Sequence, residues 1–290
     1  MDFYSFLIQL LNGVQYGLLL FLVASGLTLI FGIMGIINLA HGSFYMVGAY
    51  MAFTLASLTG NLFIAIVVGI VLSVLLGMLL EWALISHLYQ RDHLEQVLLT
   101  YGLILVFEEL RSLIVGNDVH GVAVPAIFNW SIPLTATLSY PVYRLFMSAV
   151  CLALAGLLYL LIHRTRVGMM IRAGASNREM VSALGLNINL VYRLVFALGV
   201  ALAAFAGMIA APVSSVYPGM GTQVLIICFV VVVIGGIGSI WGALFAALLI
   251  GLADTYVARG EIDAAVAGYR KYLVADPKNA QILYRLAQVE

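Results

Sequence analysis

The sequence predicts an all-α protein: a polytopic transmembrane helical bundle of about 7–8 spans, followed by a short soluble helix-turn-helix tail. Three observations carry this. First, the 290 residues are 64% hydrophobic and 9% charged, against about 45–50% apolar and about 25% charged in a soluble domain. Too little polar surface is left to face water all round. That excludes an ordinary soluble enzyme and a disordered chain and, at zero net charge, a nucleic-acid binder. Second, the apolar residues come in runs of about 20, the length a helix needs to cross the hydrocarbon. Third, charge is unevenly placed. Residues 1–254 hold 8 basic and 9 acidic side chains and no Lys, whereas residues 255–290 hold 5 and 4. The chain divides into a transmembrane domain, 1–254, and a tail, 255–290.

The spans fall at roughly 6–32, 35–57, 61–86, 96–115, 140–162 and 190–212. The first lacks a basic segment ahead of it and is followed by more apolar runs, so it is not read as a cleavable signal. Region 222–253 is apolar but broken by Gly235-Gly236-Ile237-Gly238-Ser239. It is either one kinked span or two short ones joined by a tight turn, and such a break needs protein or water to satisfy its backbone. Orientation follows the basic residues. The loop 163–189 carries Arg164, Arg166, Arg172 and Arg178, and 87–95 carries Arg91, so both are cytoplasmic. Loops 116–139 and 213–221 have no Lys or Arg and lie outside, as does the N-terminus.

Charges inside spans are few. Glu108 and Arg111 stand at i, i+3 and are expected to pair; Glu81 sits near the cytoplasmic end of its span and is expected to snorkel. No series of ionisable groups crosses the membrane, which weighs against a proton-coupled carrier. Cys151 and Cys228 are isolated in apolar runs and read as packing residues, with neither metal spacing nor a disulfide pattern.

Two segments stand out. The first begins Asn12-Gly13-Val14-Gln15-Tyr16-Gly17 and continues through Gly26-Leu27-Thr28-Leu29-Ile30-Phe31-Gly32-Ile33-Met34-Gly35 to Asn38-Leu39-Ala40-His41-Gly42. Its glycines allow close helix approach, and Asn38 and His41 must face protein or water. Asn12, Gly13, Asn38, His41 and Gly42, with Gly235, Gly236 and Gly238, are candidates for the translocation path or for helix packing. The second is the loop 163–189. Ser176 with Glu179 three residues on reads as a capping box, and Gly185 as a helix end. The short helix between them would expose Arg178 and Glu179 and bury Met180, Ala183 and Leu184, and would dock a cytoplasmic partner.

These segments, together with Gly235-Gly236-Ile237-Gly238-Ser239-Ile240-Trp241-Gly242-Ala243, make the chain resemble, over about residues 8–254, the permease subunits of bacterial branched-chain amino-acid ABC importers, the Liv-type H permeases. The resemblance implies a multi-pass protein of the bacterial plasma (inner) membrane that translocates branched-chain or related amino acids. It implies a second permease subunit, two cytoplasmic ATPase subunits and an external solute-binding protein as partners. Arg172, Asn177, Arg178, Glu179, Ala183, Gly185 and Asn187 then belong to the loop that couples to an ATPase. The residues themselves agree that energy comes from elsewhere: no Gly-x-x-x-x-Gly-Lys-Ser/Thr motif exists and no Lys precedes Lys271. No catalytic residue, cofactor or metal is expected on this chain, with ATP held by the partners. The competing readings are a permease for urea, amides or another small solute, a stand-alone channel or secondary transporter, and a permease fragment that does not function.

The last possibility comes from the tail, where the family's usual last span is replaced. Residues 255–290 resemble a tetratricopeptide repeat, with helices at about 261–274 and 279–289, Gly260 at the turn and Pro277 closing the unit. About three repeats are needed to bury such a face, so the tail is either a fusion or sequence scar or a partner-docking module.

Overall fold

The computed structural model describes residues 3–89, 91–134, 138–185 and 187–255. The helices are α1 (Phe3–Met34), α2 (His41–Thr59), α3 (Leu62–Ala83), α4 (His93–Ile114), α5 (Val142–Arg164), α6 (Arg166–Ser176), α7 (Arg178–Ala183), α8 (Ile188–Ala210), α9 (Met220–Gly235) and α10 (Ile240–Thr255). Among the described residues α1, α3, α5 and α8 are long and apolar enough to cross a membrane; α2 and α4 are 19 and 22 residues but less apolar, and α9 and α10 are shorter. The polytopic helical bundle is thus seen, and five of the six single spans expected from sequence coincide with helices to within a few residues. Among the described residues strand is confined to one small hairpin, Ser131–Pro133 with Ser139–Pro141, in the loop between α4 and α5.

Local chemistry sets the turns. α2 ends because Gly60 adopts φ +67°, and α3 starts because the Asn61 side chain accepts from Phe63 N at 2.8 Å. A two-residue connection therefore reverses the chain between antiparallel helices. The region 222–253 is two helices and not one: Gly236 and Gly238 take φ +87° and +79°, and Ser239 N donates to Gly236 O at 3.1 Å. No Cβ fits at 235 or 242, because the two glycines meet backbone to backbone where the helices leave the hairpin.

α8 is the centre. It packs on α1, α2 and α3, and small residues bring the backbones together at each crossing: Gly199 with Gly26, Ala204 with Gly48, and Ala197 with Gly77. In lipid, such close packing replaces the hydrophobic effect as the force between helices. Of the apolar windows of α1 and α8, 83% and 78% are buried, against 28% and 22% for α3 and α5, which form the periphery.

α10 runs antiparallel to α1. Gly13 of α1 lies against Leu252 and Thr255, Gly17 against Ala247 and Leu248, and Gly32 against Gly238. The end of α10 thus returns to the side on which α1 begins, which the distribution of arginines makes the outside. The two loops expected outside lie on one side of the bundle, since His120 and Val216 exchange backbone hydrogen bonds of 2.9 and 2.8 Å between 116–139 and 213–221. An Asp254→Cys variant is therefore expected to react with a membrane-impermeant maleimide in intact cells; Cys151 and Cys228 are buried and give little background. Reaction only after permeabilisation would invert the arrangement. The proposed tail helices lie outside the described residues.

The span expected at 35–57 is corrected. Residues 35–40 are not helical, and α2 begins only at His41. Gly35 turns the chain at φ +67°. The His41 ring then reaches Val23 O, 11 residues before the end of α1, or about 16 Å along its axis. Six residues of extended chain cover that distance, so this segment climbs back beside α1 and α2 starts well inside the bundle.

Candidate functional site

The re-entrant segment is the irregular heart of the membrane part. Its backbone is satisfied locally: Asn38 Oδ1 accepts from Ala40 N at 3.1 Å, and Asn38 O accepts from His41 N at 3.3 Å. α4 completes it, with Thr100 Oγ1 3.4 Å from Ile37 O. Non-helical backbone survives at this depth only with such partners. His41 Nε2 donates to Val23 O at 2.9 Å, which fixes the proton on Nε2 and leaves Nδ1 an acceptor. Both Asn38 and His41 are fully buried. Thr28 Oγ1, Asn38 Nδ2 and His41 Nδ1 are buried without a hydrogen-bond partner among the described residues. The structure thus gathers Asn38, His41 and Gly42, and Gly42 meets Gly221 and Leu225 at the start of α9. Asn12 and Gly13 are elsewhere: Asn12 Oδ1 accepts from Arg144 Nη1 at 2.7 Å, pinning α1 to α5, and Gly13 seats α10. Gly235, Gly236 and Gly238 build the α9–α10 turn, with Gly238 against Gly32.

At the end of its span, on the side expected to be cytoplasmic, Glu81 does not snorkel. It is 0% exposed and accepts from Arg193 Nε at 2.7 Å and from the Tyr89 hydroxyl. Glu81 closes α3 and Arg193 opens α8, so the pair locks the two helices where they leave the membrane. Burial, and after it the hydrogen bond to Glu81, push the Tyr89 phenol well above its ordinary value, so it stays a donor. Neither Arg193 nor Tyr89 was among the residues expected at a site. The signal was present: one acidic and one basic residue, each alone in an apolar run, near ends on the same side. Glu108 and Arg111 pair as expected, Nε to Oε2 at 3.1 Å.

The loop 163–189 holds two helices, and α6 was not foreseen. Thr165 caps it, its side chain accepting from Gly168 N at 3.0 Å. The cue was Thr165 ahead of the apolar set Val167, Met170 and Ile171. Arg172 Nη1 donates back to Ile162 O, tying α6 to the end of α5. An open cavity of about 430 Å³ separates Gly174–Asn177 of this element from the end of α1 at Gly32–Gly35.

α7 corrects two expectations. Its cap is Asn177, whose side chain accepts from Met180 N at 2.9 Å, and not Ser176, which ends α6. Gly185, at φ +83°, stops it as expected, and Asn187 caps α8 by accepting from Leu190 N at 3.2 Å. Two asparagine caps thus fix α7 between its neighbours. Its apolar face is not buried within the chain. Val181 is 4% exposed, but Met180 and Leu184 are 59% and 74% exposed and Ala183 is open too. The reason is geometric: a six-residue helix held by caps at both ends touches its own chain along one edge only. The side chains of Arg178 and Glu179 lie outside the described residues. Among the described residues no group of three His, Cys, Asp or Glu is placed to hold a metal.

The chain matches the family described as the permease component of branched-chain amino acid transport systems over residues 9–271. It is 32% identical over 271 residues to the high-affinity branched-chain amino acid transport system permease protein BraD of Pseudomonas aeruginosa, covering 88% of this chain and 87% of that protein. The permease protein LivH of Escherichia coli K12 is likewise 32% identical, covering 87% and 86%. A probable branched-chain amino acid transport permease of Methanocaldococcus jannaschii is 28% identical, covering 90% and 84%. No solved structure matches.

Proposed function

Because the chain belongs to the family of permease components of branched-chain amino acid transport systems, we propose that it imports branched-chain or closely related amino acids across the inner membrane, as one of two permeases driven by partner ATPases. The observation that carries this is likeness along almost the whole chain, at matched length, to permeases of that transport. An external solute-binding protein delivers the substrate, and ATP is held by the ATPases and not by this chain.

The mechanism follows from what is rigid and what is open. α7 presents Met180 and Leu184 to the cytoplasm beside the cavity at the end of α1. An ATPase that grips this face and then moves displaces α7, and α6 and α8 with it, because the caps at Asn177 and Asn187 leave little slack. The spans respond as packed bodies that switch between two arrangements. Asn38, His41 and Thr28 supply polar atoms inside the bundle that water or solute satisfies during passage.

Met180→Asp with Leu184→Asp tests the docking face. Losing two apolar anchors from one contact is expected to lower radiolabelled leucine uptake about tenfold or more. The ATPase should no longer co-purify, while the amount of this chain in the membrane is unchanged. Full uptake by the double variant would remove α7 from the coupling path.

A further inference from the structure

α4 differs from every other long helix in what it leaves uncovered. Within the chain it packs on α2 and on the re-entrant segment through Gln96, Thr100, Leu103 and Phe107. The opposite side of the helix carries Leu94, Leu98, Tyr101 and Leu105, all more than half exposed. At 100° per residue Glu109 falls at the edge of this stripe, between Leu98 and Gly102 around the helix. It is exposed and has no hydrogen-bond or ion-pair partner among the described residues. Apolar exposed residues continue beyond it, with Leu113 and Ile114 about three-quarters exposed, so Glu109 stands short of the helix end. Gly102 borders the stripe, and a Cβ built there meets nothing within 4 Å.

The other outward faces behave as lipid-facing surfaces should. α3 presents Ile64, Val67, Val71, Leu75 and Leu79 outward and keeps Glu81 buried. α10 presents Trp241, Phe245 and Leu249. A carboxylate that flanks an exposed apolar stripe, with the exposed Leu113 beyond it, is costly against acyl chains, and Glu lacks the long stem with which Lys and Arg reach the interface. The α4 face therefore needs protein against it, with a group that answers a negative charge. Gly102 leaves room for a helix to come close.

We propose that the Leu98–Tyr101–Leu105–Glu109 face of α4 is the surface on which the second permease chain packs, and that this partner sets a basic or hydrogen-bond-donating side chain opposite Glu109. The proposal rests on the two-permease reading above. The test uses the complete transporter in membranes. Leu105→Cys and, as the lipid-facing control, Leu75→Cys are each labelled with a benzophenone maleimide and irradiated. Leu105→Cys is expected to yield an adduct with the second permease about tenfold more than Leu75→Cys. In parallel, Glu109→Arg should lower the second permease recovered with the tagged chain by about tenfold, since like charges then meet, and Glu109→Gln should lower it less. If the unmodified chain recovers the second permease but Leu105→Cys gives only lipid adducts, or an adduct with another copy of itself, the α4 assignment is overturned while the two-permease reading stands. If the unmodified chain recovers no second permease, both fall.

Discussion

Arg193→Ala is expected to cost about 3–5 kcal/mol of stability, because it leaves a fully buried carboxylate without its charge partner. Glu81 is 0% exposed, whereas Arg193 is 34% exposed and keeps some access to water. The pair is therefore asymmetric. Glu81→Gln frees a partly hydrated guanidinium and removes a buried charge, so it should be tolerated better than Arg193→Ala. Combining the two should recover much of the loss, because no uncompensated carboxylate remains. Thermal unfolding in detergent, followed by the fraction of monodisperse protein, reads all three. If Arg193→Ala unfolds at the same temperature as the unmodified protein, the pair has no structural weight. The same variant also reports on transport, since the bond joins the first turns of α8 to the end of α3, just beyond α7.

The second large effect is at the crossing of α2 and α8. Gly207→Val is expected to destabilise the protein by about 3 kcal/mol or more, at the upper end of what overpacking does. A Cβ at this position would run into Tyr45 O, and one at Gly48 into Ala204 O. Backbone cannot swing aside as a side chain does, so the helices must separate and the packing of both is lost along their length. Gly156→Val is the control: it lies in α5, and a Cβ there meets nothing within 4 Å. The measurement is the yield of folded protein from membranes and its unfolding temperature. Equal behaviour of Gly207→Val and Gly156→Val would mean that the crossing is loose.

The bundle was legible in the sequence because lipid imposes one rule, runs of about 20 apolar residues, and the chain obeys it at α1, α3, α5 and α8. The rule fails where hydropathy no longer tracks helix. Residues 35–40 are as apolar as a span, yet Asn38 and Gly35 take them out of helix, and only the Asn38 side chain that accepts from Ala40 N, the Thr100 hydroxyl on Ile37 O and the left-handed Gly35 reveal why. The α9–α10 turn was half legible: its glycines marked a break, but whether a break kinks or reverses a helix depends on φ values that composition does not carry. On the cytoplasmic side the glycine stop at 185 was visible and the cap was misplaced by one residue, because Ser176 and Asn177 are both good caps and local sequence does not rank them by geometry. The exposure of Met180 and Leu184 was unreadable, since an amphipathic pattern says that a face is covered and not by which chain.

The climb of residues 35–40 also sets an order of assembly. Their backbone depends on Thr100, and the notches at Gly26 and Gly48 wait for α8, which is synthesised after five other spans. Until α4 arrives, the newly made α1–α2 pair holds the Ile37 carbonyl without its Thr100 partner, and until α8 arrives the notches at Gly26 and Gly48 lack their filling. The first hairpin is thus a provisional guest of the membrane. A chain that stopped before residue 188 would leave α1 and α2 without the helix they pack on most extensively.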